Sequence, residues 1–417
     1  MTLKSQQPHN RRRRRVGTAA VTAALSATAL AASGSAGALA ATDGSAGASA
    51  ATASPVLQTL TYTATGPGGG LNRPVGVSAA NGTVYVSDTG ADVVSTIANG
   101  ATTAFAGSLT AFGEHGDGGP STSASLYRPG GTAEDANGDI FIADSGDNTV
   151  REVTPNGVIH RFAGTGIAGL GVTGSRSLGF PATLSSLDRP QAVAVNAQGD
   201  VFVADAYNNR VVEVTPSGRV STVAGDGRAG YSGDGRLAVF AELNQPNGVA
   251  VDAQGNLYIA DSASNVIRRV DAKTGIITTV AGDFAADQAN DGLGGFSGDG
   301  GPATSAQLND PQGVAVDGAG DLFIADTFNN AIREVTPDGT ITTVVNSASA
   351  GGGIPSAGGE SNGAAPTASR LNSPYGVAID QSTDVLYIAD TSNSKIAAVT
   401  GLAQSGNAAG PTAPAHS

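Results

Sequence analysis

Six aspartates recur at one position of a repeated motif: Asp88, Asp144, Asp205, Asp261, Asp326 and Asp390. Each ends a short apolar run, as in Leu322-Phe323-Ile324-Ala325-Asp326, and each precedes a turn rich in Asn, Asp and Ser. Carboxylates bind hard cations and serve as general acids and bases, so a metal or catalytic reading has to be weighed. A catalytic centre uses one or two such groups, not one in every repeat. A carboxylate ahead of an Asx-rich turn can instead accept backbone N–H bonds from that turn, which accounts for all six. The repeated aspartates are read as structural.

A second feature that could do chemistry is the loop SGDGGPATSA, Ser297 to Ala306. Its siblings are GDGGPSTSASL at Gly116 and SGDGRLAVFAEL at Ser232, with looser versions around Gly179 and Gly358. It is not a phosphate loop, because no G-x-x-x-x-G-K-[ST] is present. It also departs from the D-x-D-x-D-G spacing of a calcium loop. Asp226, Asp234, Asp291 and Asp299 remain the candidate calcium ligands, against a solvated connector in which Pro302 opens a single helical turn. The connector reading is preferred, and no other cofactor is expected. The four histidines are scattered: His9 near the N-terminus, His416 in the tail, His115 in a connector and His160 in a strand. With no cysteine, neither a thiolate site nor a disulfide can form. No nucleophile elbow is read: the G-x-S-x-G match at Gly359 to Gly363 lies in a Gly/Ser-rich connector rather than between a strand and a helix.

The elements that must position these residues come in six units, starting at Leu71, Leu126, Leu187, Leu243, Leu308 and Leu371. Within a unit, GVAVD-like and LYIAD-like runs flank a Gly-Asn or Gly-Asp turn. An Asx-rich turn then leads to AIREV, and Pro-Asp-Gly leads to TITTVV. Four short strands per unit, with no long amphipathic helix between units, predict an all-β, six-bladed β-propeller of four-stranded blades. The sixth unit lacks a fourth strand, while LQTLTYTATG (Leu57 to Gly66) reads like one. An N-terminal strand is therefore expected to close the last blade and remove an open edge.

These residues carry a resemblance. Pro-x-Gly-Val-Ala-Val-Asp, Gly-Asn-Leu-Tyr-Ile-Ala-Asp and Asn-Asn-x-Ile-Arg-Glu-Val together look like the NHL-repeat propeller family. The GDGGPATSAxL connectors resemble its teneurin-type subgroup in bacterial secreted proteins. The likeness runs from about Leu57 to Leu402 and bears on fold far more than on function. Several enzyme groups share the architecture: peptidyl-hydroxyglycine amidating lyases, streptogramin-type lyases, gluconolactonases and strictosidine-synthase-like enzymes. The zinc-binding histidines of the first, and the acid, Asn or His constellations of the others, do not appear here at matching motifs.

The remaining chain reads as targeting and tether. Arg11 to Arg15, an Ala-rich weakly apolar stretch and Ala38-Leu39-Ala40 describe a cleaved signal peptide over residues 1–40, by the Sec or twin-arginine route. Residues 41–55 form a small-residue tether, 56–402 the propeller and 403–417 a disordered tail. Residues 1–40 hold six of the 22 Lys and Arg and none of the 35 acids, so the rest carries −19. Nucleic acid and anionic membranes are poor partners for such a surface, and no stretch of the body is long and apolar enough to span a membrane.

Where the repeats depart from one another, a ligand could be recognised. The residue after the first-strand proline is Val75, Gly130, Gln191, Asn247, Gln312 or Tyr375. The turn after the aspartate offers Gly90, Gly146, Tyr207, Ala263, Phe328 or Ser392. The residue before the proline is Arg73, Arg128 or Arg189 in the first three units, then Gln245, Asp310 and Ser373. Three arginines at one structural position predict a positive arc on an acidic ring, suited to bidentate capture of carboxylates. The competing reading has each arginine bonding carbonyls of a neighbouring connector.

The candidate binding set is thus Arg73, Arg128, Arg189, Gln191, Tyr207, Asn247, Gln312, Phe328 and Tyr375. The expected function is a secreted, monomeric, non-catalytic binding or scaffold propeller for a protein or cell-envelope carbohydrate. The alternative is a propeller lyase or hydrolase with a divalent metal in the channel. The missing cysteines and separated histidines predict no tightly held zinc in the purified protein. Elemental analysis after mild chelation checks this; about one retained zinc per chain would refute it and favour the enzyme.

Overall fold

The computed structural model describes residues 55–60, 70–98, 100–108, 115–173, 179–346 and 365–402. The strands fall into six antiparallel sheets, one per repeat, in the order first-second-third-fourth. Blade five is typical: Pro311–Val316, Leu322–Asp326, Ala331–Val335 and Thr340–Val345. Its two middle strands are buried at every position, because each blade is sandwiched between two others. Continuous apolar runs such as LFIAD follow from that two-sided burial. The core accordingly lies between blades. Phe202, Ala204 and Val211 of blade three pack against Val249, Leu257 and Ile259 of blade four, for example. Each such Leu, Ile or Phe side chain contributes about 1.5–3 kcal/mol by leaving water.

The ring closes as expected. Val56–Thr59 pairs antiparallel with Lys395–Thr400, from Val56↔Thr400 to Thr59↔Ala397, and so supplies the fourth strand of blade six. The N–H of Leu60 donates to Ile396 O and continues the pairing. Residues 61–66 of the expected closing segment lie outside the described residues, as do residues 1–54 and the tail after Leu402.

Hydroxyls clasp one blade to the next. The residue after each repeated aspartate donates to the carbonyl of the next blade's first proline: Thr89 to Pro129 (2.6 Å), Ser145 to Pro190, Ser262 to Pro311 (2.6 Å) and Thr327 to Pro374 (2.7 Å). Thr391 to Pro74 (2.6 Å) joins blade six to blade one. Ala206 stands at this position in blade three, so the junction with blade four lacks the clasp. At some first-strand positions the neighbouring strand comes so close that no side chain fits. A Cβ on Gly76 would lie 2.3 Å from Gly130 O, and one on Gly313 would lie 2.3 Å from Tyr375 O.

The connectors differ from the sequence expectation in one respect. Gly301–Pro302 adds a two-residue strand outside blade five, with Pro302↔Thr340, and the 3₁₀ turn begins only at Ala303. Pro302 is thus the extended residue ahead of the turn rather than its first helical residue, since pairing to the outer strand holds it at ψ 128.

Leu57 is fully buried among Leu386, Val399 and Leu402 and reaches the core shared with blade five. Leu57→Ala is expected to cost about 2–5 kcal/mol, read as a lower urea midpoint at unchanged slope. Deleting the closing strand should also promote aggregation. A truncated protein that melts like the intact chain would show that closure adds nothing.

Candidate functional site

The site is built on a backbone conformation that repeats six times. Arg73, Arg128, Arg189, Gln245, Asp310 and Ser373, each just before a first-strand proline, all have φ between 48° and 56°. None is glycine, and a left-handed residue with a side chain costs on the order of 1 kcal/mol or more. Two sets of hydrogen bonds hold this geometry. The N–H of the residue before each of them donates to a repeated aspartate: Asn72 to Asp88, Tyr127 to Asp144, Asp188 to Asp205, Asn244 to Asp261, Asn309 to Asp326 and Asn372 to Asp390, at 2.6–2.8 Å. The left-handed residue's own N–H donates to the previous blade's turn. Examples are Arg128 to Asp92 Oδ1 (2.7 Å), Arg189 to Asn148 Oδ1 (3.0 Å) and Ser373 to Asn330 Oδ1 (2.7 Å). The repeated aspartates are architectural, as expected, but their donors are upstream connector N–H groups rather than those of the following turn.

This scaffold surrounds a basin of about 640 Å³ at the mouth of the channel. Eight of the nine candidates line it: Arg73, Arg128, Arg189, Gln191, Tyr207, Asn247, Gln312 and Tyr375. Phe328 does not; it sits half-exposed on the rim of blade five. The hollow opens instead over blades one and two, where the corresponding turn residues are Gly90 and Gly146. Among the described residues the only other charged one in the lining is Asp92, so together they carry about +2 within an acidic chain. All three arginines are exposed. Arg189 is held by Tyr207, whose hydroxyl accepts from Nη1 at 3.0 Å and whose ring centroid lies 4.6 Å from the guanidinium carbon. The side chains of Arg73 and Arg128 make no hydrogen bond or ion pair to any described residue, so among the described residues these two do not form the carbonyl contacts of the competing reading. Burial, and then Asp310, push the Tyr375 phenol up, while Arg73 opposes them.

Sequence reasoning missed Tyr127, which also lines the basin. Its ring lies on Gly146, where a Cβ would come within 2.3 Å of Tyr127 Cδ1. The signal was present: the other five repeats have Asn or Asp at this position. His115 and His160 are exposed on a connector and an outer strand, away from the channel. Among the described residues no three His, Asp or Glu side chains gather as cation ligands.

The chain matches the teneurin NHL domain over residues 227–293 and 293–362, and the NHL repeat over 187–213. Over these stretches its repeats are of the teneurin NHL type. It is 32% identical to teneurin-4 of Mus musculus over 233 residues, 52% of this chain, and 30% identical to teneurin-1 of Gallus gallus over 239 residues, 53% of this chain. It spans only 8% of the length of either relative. Among solved structures it is similar to an auxiliary nutrient binding protein from Bacteroides ovatus (TM-score 0.57, 16% identity, 83% of this chain and 76% of that one). It is similar also to a protein of unknown function from Bacteroides thetaiotaomicron (TM-score 0.56, 16% identity, the same coverages). These two show the fold alone.

In this NHL propeller the connector aspartates have a role that the sequence reading did not assign. Arg151, Arg268 and Arg333, fully buried on third strands, each join a connector aspartate to a repeated one. Arg268 Nη2 lies 2.6 Å from Asp234 and Nη1 3.4 Å from Asp261; Arg333 lies 2.7 Å from Asp299 and 3.2 Å from Asp326. Arg151 joins Asp117 (2.6 Å) to Asp144 (3.5 Å). The Tyr231 and Phe296 rings cover the guanidinium groups of Arg268 and Arg333. Asp234 and Asp299 are therefore ion-pair partners of buried arginines while their own side chains stay 40% and 42% exposed. Of the other calcium candidates, Asp226 pairs with Arg228 and Asp291 is exposed in a left-handed turn.

Burial raises Asp261 to about 7 and Asp326 to about 6, against the lowering effect of their N–H and arginine partners. Because these folded values exceed the unfolded ones, the folded protein takes up protons as pH falls through 7 to 6. These groups therefore add stability toward pH 5 and lose it toward pH 8. Arg268→Ala should cost about 3–5 kcal/mol at pH 8 by leaving Asp261 buried and unpaired. Part of that loss should return at pH 5, where Asp261 is protonated. Urea melts at both pH values check this; an equal loss at each would place the cost in packing rather than charge.

Proposed function

We propose that this chain is an exported, non-catalytic binding propeller whose mouth basin takes a carboxylate-bearing ligand, part of a protein or a carbohydrate. The observation that carries the reading is the pair of exposed guanidinium groups, Arg73 and Arg128. They stand on adjacent blades over one basin without a described ion-pair partner, whereas the third-strand arginines Arg151, Arg210, Arg268 and Arg333 are neutralised internally. Arg presents a planar fork of donors that matches a carboxylate bidentately, and water is displaced most easily from a concave surface. Arg189, already oriented by Tyr207, adds a third point of contact. Export rests on the Arg11–Arg15 block and the Ala38-Leu39-Ala40 site ahead of the propeller.

Replacing Arg73, Arg128 and Arg189 by Gln tests this against a panel of acidic peptides and carboxylated glycans. Affinity should fall by about 1.5–3 kcal/mol per charged hydrogen bond lost, with the melting temperature unchanged. A drop in melting temperature with affinity intact would make the arginines structural.

A further inference from the structure

Within the reading of the basin as a carboxylate site, we propose that its ligand class is an acidic oligosaccharide with carboxylates on at least two of its sugar units. Charge count supplies the first argument. Arg73 and Arg128 sit on adjacent blades without an ion pair to any described residue, and with Arg189 and Asp92 the described lining nets about +2, so one carboxylate would leave a positive charge unmatched in the basin. Arg189 is different, because its stacking on Tyr207 fixes an aromatic face and a cation as a unit at the wall.

The chemistry of the floor and walls supplies the second argument. Gln191, Gln245, Asn247 and Gln312 bring four amides, each both donor and acceptor, to the centre of the mouth. Amides of this kind suit hydroxyl groups, which also donate and accept. The exposed aromatic surface is Tyr127 (49% exposed) and Tyr207 (47%), flat faces with polar tips. Such faces stack on the C–H side of a sugar ring. A peptide ligand is usually anchored by an apolar side chain in a fitted pocket, and the basin offers little aliphatic surface for one: Val75 and Pro129 are its only such lining residues. Flat aromatics, clustered amides and paired arginines together match a uronate oligomer better than an acidic peptide.

The test uses the propeller at pH 7, with tri- to pentasaccharides of galacturonate, of mannuronate and guluronate, and of glucuronate-containing repeats as probes. Their methyl esters and pentaglutamate are the comparators, and calorimetry is the readout. At least one uronate series should bind, with its methyl ester at least tenfold weaker, its monosaccharide at least tenfold weaker, and pentaglutamate at least tenfold weaker. Tyr127→Ala should weaken the uronate at least tenfold while changing any pentaglutamate binding less than threefold. Arg73→Gln and Arg128→Gln should each weaken the uronate at least tenfold at unchanged melting temperature. If pentaglutamate binds as well as the best uronate and Tyr127→Ala affects neither, the saccharide assignment falls and the carboxylate site stands. If no uronate series and no peptide binds, both readings fall.

Discussion

A carboxylate buried at the end of each second strand is the constraint on which the rest of this propeller depends. Asp144, Asp205, Asp261, Asp326 and Asp390 are wholly inaccessible to solvent, and Asp88 nearly so. A buried carboxylate is tolerated only if its oxygens are bonded. One oxygen takes the N–H two residues before its own blade's first-strand proline, which docks the incoming chain and holds the following residue left-handed. That residue then bonds to the previous blade's turn, and the hydroxyl after the aspartate bonds to the next blade's proline carbonyl. A single local requirement thereby sets the entry angle of each first strand and couples neighbouring blades.

The second carboxylate oxygen is satisfied differently from blade to blade. In blades two, four and five it faces a buried third-strand arginine, and only those blades carry both that arginine and a Gly-Asp-Gly connector. Blade three has Val212 at that place, and Arg210, two residues earlier, reaches Asp205 at 2.8 Å instead. Asn208, Asn329 and Asn393 donate to the same oxygen in blades three, five and six. Asp88 of blade one has no side-chain partner among the described residues, and burial raises it to about 6. The arginine and the connector aspartate are complementary because either alone would be a costly charge at the edge of the core.

The variable side chains are separated from this framework by position. Bonds to the backbone of the left-handed residue are the same in every blade, so its side chain is free to vary without disturbing the ring. Blades one to three place arginine there, and the others Gln, Asp and Ser. The same holds for the residue after the proline and for the turn residue that is glycine in blades one and two. A repeated scaffold with variable, outward-held side chains explains how a near-symmetric ring presents a one-sided basin.

The sequence by itself determined the number of blades, their four-strand pattern, the closing N-terminal strand and the positions at which repeats diverge. These are legible because strand alternation, turn chemistry and sixfold repetition are local properties of the chain. Eight of the basin's residues were legible too, because a shared repeat position implies a shared place on the ring. Tertiary structure alone decided the rest. Asp117 and Arg151 are 34 residues apart and identical in type to many unpaired residues, so only packing shows that they meet. Phe328 and Tyr207 occupy the same repeat position, yet of the two only Tyr207 borders the basin, whose described lining comes mostly from blades one to three. Tyr127 lines it with its ring lying in the room that a side chain at Gly146 would take. Repeat position assigns a residue to a face, and the volumes of its neighbours across the ring decide whether that face is open.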